Sequence, residues 1–161
     1  MATPALDRAV RLRSGSLRDL DEVMEVMDAA FGDRFGEAWT RSQCAGILPM
    51  AGVSLIVARE LESGMAIGFS LSRTVADESE LLLIAVLPSH HRQGIGKLLL
   101  DDFMHRARES GAARVHLEVR DGNPAVGMYR EAGFTPVGKR SNYYHAANGK
   151  RFDALTLSQE L

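Results

Sequence analysis

The segment that most constrains the fold is an apolar run followed by a glycine-containing loop and a long amphipathic stretch. The run is Leu81-Leu82-Leu83-Ile84-Ala85-Val86, Pro88 closes it, and the loop is Arg92-Gln93-Gly94-Ile95-Gly96-Lys97. A short run that is apolar on both faces predicts a central strand. From Gln93 to Ser110 apolar residues recur at helical spacing, and Gly111 follows as a C-terminal stop. The centre of the chain is therefore predicted to be a strand, a tight loop and a helix.

The flanking segments complete the element order. Two helical segments follow a first short strand, and two more strands precede the central one at a spacing short enough for an antiparallel meander. After the central helix come a strand, a helix that begins at Asn123-Pro124 and stops at Gly133, and two strands around Ala147-Asn148-Gly149. The earlier segments are the strand 9–13, the helices 17–31 and 37–48, and the strands 53–58 and 66–71. The predicted fold is one mixed α/β domain over residues 1–161, with a central, mostly antiparallel sheet.

Composition excludes several classes of function. The 161 residues are 45% hydrophobic, enough to fill one core, and carry 19 Lys and Arg against 21 Asp and Glu. A net charge of −2 lacks the basic excess of a protein that binds a phosphate backbone, so nucleic acid is not an expected ligand. One cysteine, Cys44, and histidines without metal spacing predict a reducing compartment and no metal. Without a leader or a membrane-length apolar run, we expect a cytoplasmic protein that does not enter a membrane.

The glycine loop has the character of an anion site. Glycines at a strand-to-helix junction let several free N–H groups converge on a phosphate, aided by the helix dipole. A Walker loop is excluded because His91 and Leu98 stand where Gly and Ser or Thr are required. The dinucleotide fingerprint fails because Leu99 replaces its third glycine. The alternative is that the glycines only cap a helix.

The loop resembles the acetyl-CoA motif of the GNAT acetyltransferases, Gln/Arg-x-x-Gly-x-Gly/Ala, with His91 at its first position. The resemblance implies acetyl-CoA as co-substrate, no metal, and a sheet that is splayed at the CoA site with helices on both faces. It implies that backbone groups of Ile84, Ala85 and Val86 contact the pantetheine arm, one amide stabilising an oxyanion. The pyrophosphate would lie on Arg92, Gln93, Gly94, Ile95, Gly96 and Lys97. Because backbone amides carry most of that contact, His91 should weaken one side-chain contact only.

The second half resembles the bacterial ribosomal-protein-alanine N-acetyltransferase (RimI-like) branch of that family. The resemblance covers residues 64–161, while the first sixty residues match in element order, with Trp39 as a weak addition. The matching segments are Leu117-Glu118-Val119-Arg120 with Asn123, Tyr129 with Gly133-Phe134, and Asn142-Tyr143-Tyr144 with Gly149-Lys150 and Asp153-Ala154. The distance from Asn123 to Tyr129 is one residue shorter than in that branch.

The resemblance implies that Glu118 is the general base, Tyr129 the general acid and Asn123 a CoA contact. The chemistry requires both groups, because a terminal amine is largely protonated at neutral pH and the leaving thiolate needs a proton. Glu80, beside the central strand, is the rival base. Glu118 could instead be a solvated strand residue, and Tyr129 a packing residue.

The acceptor expected from this branch is the N-terminal α-amine of a protein, the alanine of a ribosomal protein. Tyrosines beside a strand edge can line a groove for a peptide end, so Asn142-Tyr143-Tyr144 is the segment that discriminates most. An aromatic pair that only packs on the sheet is the alternative. A GNAT enzyme that acetylates a small amine or a lysine side chain remains open, as does a non-catalytic module that senses acetyl-CoA.

Overall fold

The computed structural model describes residues 9–161, in which seven strands form one sheet. The strand order across the sheet is β1-β2-β3-β4-β5-β7-β6, so the central run of the sequence is the middle strand. The strands are β1 (Val10–Ser14), β2 (Val53–Glu60), β3 (Ala66–Val75), β4 (Glu78–Val86), β5 (Arg114–Arg120), β6 (Thr135–His145) and β7 (Arg151–Glu160). The helices are α1 (Leu20–Phe31), α2 (Arg41–Ile47), α3 (Ile95–Glu109) and α4 (Ala125–Glu131), with 3-10 turns at Leu17–Asp19 and Pro88–His90.

The expected mixed α/β fold is confirmed, but the second helix is shorter than the predicted segment 37–48. Thr40 forms a capping box, in which its hydroxyl accepts from the Gln43 N–H at 3.1 Å and the Gln43 side chain accepts from the Thr40 N–H at 2.7 Å. The helix therefore begins at Arg41. Glu37 and Trp39 therefore belong to the segment that connects α1 to α2, and their side chains face the sheet.

The N-terminal half of the sheet, β1 to β4, is an antiparallel meander with no gap between neighbouring strands. We call it the closed half of the sheet. Strands β1 to β4 pair in chain order, each along most of its length. Alternate residues of β2 enter different layers: Leu55 and Val57 pack with α1 and α2 on one face, and Ile56 and Ala58 pack with α3 on the other. Burial on both faces explains the uninterrupted apolar run from Leu55 to Ala58 in β2.

The C-terminal half is joined to the first half by a very short ladder. Strand β5 pairs parallel to β4 only from Arg114 to Leu117, opposite Glu78 to Leu81. On its other side β5 pairs with β7 along all seven of its residues. After Leu81 and Leu117 the two central strands separate, which opens a cleft between residues 82–86 and residues 118–120. The expected splay of the sheet is thus present, and it lies at the end of β4 that leads into the glycine loop.

Candidate active site

The loop between β4 and α3 has the backbone conformation of an anion site. Arg92 and Gly94 both adopt left-handed conformations, with φ of 61° and 81°. Such residues turn successive N–H groups toward one point, and the free N–H groups of the fifteen-residue helix α3 begin immediately afterwards. Lys97 lies in the first turn of α3 and pairs with Asp101 at 2.6 Å. Gly94 is required here because other residues with a Cβ rarely adopt this conformation.

His91 contacts the protein backbone in this structure. Its Nε2–H donates to the carbonyl of Val86 at 3.0 Å, which fastens the start of the loop to the end of β4. The family motif has Gln or Arg at this position, and the sequence led us to expect a weakened contact to the co-substrate. The structure adds a second role, because the imidazole fixes the geometry of the strand-to-loop junction.

A cavity of about 120 Å³ lies in the cleft between β4 and β5, and the residues predicted as general acid and as candidate bases line it. Glu118, Glu80, Asn123 and Tyr129 all line it. The remaining walls come from the α1–α2 segment, the end of β4 and the β6–β7 hairpin: Phe31, Glu37, Trp39, Leu81, Leu82, Leu83, Ile84, Leu117, Val119, Tyr143 and Tyr144. Ala85, Val86 and the glycine loop lie farther along the chain, toward the start of α3.

The two candidate bases differ in depth and partners. The Glu118 side chain is 15% exposed, and Arg140 Nε lies 2.7 Å from its Oε1. The Glu80 side chain is 40% exposed, and its Oε2 lies 3.7 Å from Nε2 of His116. Burial together with the negative charge of Glu118 raises the pKa of the neighbouring Tyr143 phenol. Glu118 therefore lies deeper in the cleft, and Glu80 lies nearer its mouth.

Tyr129 projects from α4 into the core side of the cleft. It is buried, and its ring packs edge-on against Phe134 with centroids 6.0 Å apart. Burial, and secondly the negative charge of Glu37, raise the pKa of its phenol well above the ordinary value. The hydroxyl therefore stays protonated at neutral and moderately alkaline pH.

Asn123, predicted as a CoA contact, has both ends of its amide engaged by the protein. Its Oδ1 accepts from the N–H of Ala125, the first residue of α4, at 2.8 Å. Its Nδ2 donates to Glu37 Oε2 at 2.7 Å. The residue lines the cavity, but these two contacts make it a structural link between the start of α4 and the α1–α2 segment.

A bulge presents the tyrosine pair to the cleft. The pairing of β6 with β7 shifts register between Arg140 and Tyr144, and Asn142 adopts a left-handed φ of 55°. The N–H of Asn142 donates to Asp153 Oδ1 at 2.9 Å, which stabilises the bulge. Such a bulge re-aims the following side chains, and here Tyr143 and Tyr144 pack edge-to-face with centroids 4.9 Å apart at the cavity wall.

Three residues of the site were not assigned a function from the sequence. Glu37 fell inside a predicted helix, Phe35 in a connecting segment, and Arg120 at the end of a matched motif. In the structure Arg120 Nε lies 3.3 Å from Glu37 Oε1, and its guanidinium carbon lies 3.7 Å from the Phe35 ring centroid. No pattern in the sequence joins positions so far apart. Only the fold brings them together.

Two further observations concern metals and membranes. Within residues 9–161, no group of three or more His, Cys, Asp and Glu side chains is arranged to hold a metal ion. In the same range, no helix is long and apolar enough to cross a membrane. Cys44 is buried under α1, and burial raises the pKa of its thiol.

Known proteins resemble this chain in sequence and in fold. The model of the acetyltransferase (GNAT) family matches residues 20–134. The ribosomal protein bS18-alanine N-acetyltransferase of Haemophilus influenzae is 39% identical over 98 residues, which are 61% of this chain and 67% of that protein. The enzyme of the same name from Haemophilus ducreyi is 30% identical over 113 residues, 70% of this chain and 78% of that protein. The matched region thus spans about two thirds to three quarters of these relatives.

Solved structures extend the likeness to nearly the whole chain. The ribosomal-protein-S18-alanine N-acetyltransferase from Escherichia coli superposes with a TM-score of 0.83 at 27% identity, covering 94% of this chain and 93% of that one. Ard1 from Thermoplasma volcanium superposes with a TM-score of 0.81 at 25% identity, covering 95% and 98%. The family model matches most of the chain, and the splayed sheet and the left-handed loop before α3 agree with that match. The chain belongs to the GNAT family of acetyltransferases.

Proposed function

We propose that this chain transfers an acetyl group from acetyl-CoA to the N-terminal α-amine of a protein, the alanine of a ribosomal protein. One observation carries the acceptor class: the bulge at Asn142 turns Tyr143 and Tyr144 onto the same cavity that Glu118 and Tyr129 line. A paired aromatic wall beside a strand edge suits the extended end of a peptide. Relatives named as alanine N-acetyltransferases of ribosomal protein bS18 support the same choice.

The residues present fit the co-substrate. Beyond Leu81 the β5 side of β4 has no strand partner in the described chain, so backbone groups of Ile84, Ala85 and Val86 are available to the pantetheine arm. The N–H groups of the loop from Arg92 to Lys97 would hold the pyrophosphate at the start of α3. Acetyl-CoA supplies the activated acetyl group as a thioester. Asn123 would contact the pantetheine arm of acetyl-CoA from the cavity wall.

In this proposal the protein moves two protons. Glu118 takes one from the acceptor ammonium, directly or through water, so that the amine lone pair becomes available. Tyr129 provides one for the departing thiolate, and the second proton that the amine nitrogen loses as the amide forms restores the phenol. The high pKa of the Tyr129 phenol keeps the proton in place until it is needed. The co-substrate and the proposed acceptor favour a cytoplasmic location, a reducing compartment that suits the lone, buried thiol of Cys44.

The acceptor is tested with a matched panel of peptides. An alanine-initiated peptide of ribosomal origin is compared with the same peptide blocked at its α-amine and with a version whose lysines are replaced. We expect α-blocking to abolish turnover and lysine replacement to leave it intact, with the acetyl position read by mass spectrometry.

Two outcomes would contradict the proposal. Equal turnover of the α-blocked peptide would assign the activity to lysine side chains, and activity on polyamines alone would assign it to small amines. Binding of acetyl-CoA without release of CoA, whichever amine is offered, would identify a sensing module.

A further inference from the structure

The α1–α2 segment contacts the C-terminal half of the molecule through several groups, and the Glu37 carboxylate supplies two of these contacts. The Glu37 carboxylate points two ways: Oε1 lies 3.3 Å from Arg120 Nε, and Oε2 accepts from Asn123 Nδ2 at 2.7 Å. Arg120 is the last residue of β5, and Asn123 accepts a hydrogen bond from the N–H of Ala125, the first residue of α4. The carboxylate thus joins the wall of the cavity to the short connection between β5 and α4.

The ion pair is buried and enclosed. The Arg120 and Glu37 side chains are 9% and 11% exposed. The Phe35 ring lies against the guanidinium at 3.7 Å, and Phe152 packs edge-on against Phe35 at 5.2 Å between centroids. A buried guanidinium is stable only with a compensating charge, so Glu37 is the group that allows Arg120 to be there.

We propose that Glu37 is a positioning residue for acetyl transfer, one that holds Asn123 and Arg120 and so fixes the helix carrying Tyr129 against the acceptor wall. The inference rests on the proposed function. Both carboxylate oxygens already face partners, so Glu37 acts through them and does not itself take the acceptor proton.

Only two hydrogen bonds separate the Glu37 carboxylate from the helix that carries Tyr129. Asn123 Oδ1 holds the N–H of Ala125, and Tyr129 lies four residues, about one helical turn, farther along α4. Loss of the Glu37 contact frees the Asn123 amide to rotate, and the N–H of Ala125, the first residue of the seven-residue helix, loses its side-chain acceptor. The Tyr129 hydroxyl then loses its fixed place in the cleft, and a displacement of about 1 Å at a reacting group can cost about a hundredfold in rate.

The structure offers a matched control at the other end of the molecule. Arg59 on β2 is held by Glu22 at 2.8 Å and by Asp19 at 2.9 Å, which ties α1 to the closed half of the sheet. Glu22→Gln removes one carboxylate from an arginine, just as Glu37→Gln does, but far from the cavity. Its effect measures what loss of such an ion pair does to stability alone.

The experiment compares Glu37→Ala, Glu37→Gln, Asn123→Ala, the Glu37→Ala/Asn123→Ala double variant and Glu22→Gln. Melting temperature, acetyl-CoA affinity by calorimetry, kcat and peptide KM are measured for each, well below melting. We expect Glu37→Ala to lower kcat about tenfold or more, with acetyl-CoA affinity changed less than about twofold since the glycine loop is untouched. Glu37→Gln should recover part of the rate, because a Gln oxygen can still accept from Asn123. The double variant should be no slower than the slower single variant, because Glu37→Ala and Asn123→Ala break the same Glu37–Asn123 hydrogen bond.

Several results would overturn the inference. If Glu37→Ala lowers the melting temperature as Glu22→Gln does and leaves kcat within about twofold, a range additivity errors can produce, Glu37 is structural only. Multiplicative losses in the double variant would show that Glu37 and Asn123 act separately. If Glu37→Ala does not fold, Asn123→Ala, which breaks the same contact, decides by the same kcat criterion. A wild-type protein that turns over no α-amine refutes the proposed function itself, whereas an active wild type with unimpaired Glu37 variants refutes only the positioning role.

Discussion

The two halves of the sheet bury similar side chains but differ in how completely their strands pair. In the N-terminal half, β3 and β4 stay paired from one end to the other, and the core between sheet and α1 is continuous. In the C-terminal half, β4 and β5 pair over four residues and then separate. The proposed active site lies where the pairing stops, because an unpaired strand edge and a cleft can bind a ligand that a closed ladder cannot. Substitutions in the core of the fully paired strands should therefore affect stability, and substitutions that line the cleft should affect activity.

The largest expected effects are in the cleft. Removing a general acid or base costs about 10²- to 10⁴-fold, so Glu118→Gln and Tyr129→Phe should each depress kcat by that order with little change in melting temperature. A deprotonated amine needs less help, so the Glu118→Gln deficit should shrink as pH rises through the pKa of the amine. The Tyr129→Phe deficit should persist, because burial raises the pKa of that phenol and the wild-type hydroxyl stays protonated.

Rates of both variants between about pH 6 and 9.5, which spans the pKa of a terminal amine, test these roles. The control is acetyl-CoA affinity, which should be unchanged because the loop is intact. A loss below about threefold for Glu118→Gln, far under that of a missing base and independent of pH, would exclude Glu118 as the base. Glu80→Gln would then be the variant to measure, since Glu80 lines the same cavity.

In the closed half, a cavity should cost stability and spare the chemistry. Leu55 is buried on β2, against the α1 side of the sheet. Leu55→Ala should lower the free energy of unfolding by about 2–5 kcal/mol, the range for buried Leu→Ala changes. Denaturant titration measures the loss, and kcat well below melting should stay close to wild type. A fall in kcat comparable to that of Glu118→Gln would show that the two halves are not separable.

The glycine loop should give an intermediate effect. Gly94→Val forces a branched side chain into a left-handed conformation, so the N–H groups of the loop lose their alignment. We expect acetyl-CoA to bind at least tenfold more weakly, which corresponds to about 1.4 kcal/mol. Gly46→Ala is the control, since Gly46 lies in α2 with open space at its Cβ position. If the Gly94→Val variant folds and binds acetyl-CoA normally, the glycines of this loop only cap a helix.

The smallest effect concerns the helix that carries Tyr129. Gly127 lies inside α4, and a Cβ there would meet no atom within 4 Å. Gly127→Ala should raise the free energy of unfolding by about 0.5–1 kcal/mol through helix propensity and reduced freedom of the unfolded chain. Chemical denaturation detects the change. A destabilised variant would mean that the α4 backbone departs from helical geometry at this position.

Much of the fold and part of the site can be read from local patterns. Strand and helix periods, the Pro88 stop and the glycine loop are local features, and they predict β4, the loop and α3 close to their observed bounds. Glu118, Tyr129 and the tyrosine pair were placed by motif resemblance, and the structure brings them to one cavity, although their roles stay predictions. The Glu37–Arg120 pair could not be predicted, because Glu37 is separated from Arg120 by five elements. The capping box at Thr40 was the one available signal that Glu37 lies outside α2.

The position of β7 between β5 and β6 has a consequence for how the protein forms during translation. Strands β1 to β4 are neighbours in sequence as well as in space, so this half can assemble from local pairings as the chain emerges. Strand β5, by contrast, has four paired residues on one side until residues 151–160 arrive to fill the other, and β6 has no strand partner in the described sheet without them. We therefore expect the nascent chain to hold a folded first half and an unfinished second half. Acetylation activity should begin only after β7 has left the ribosome.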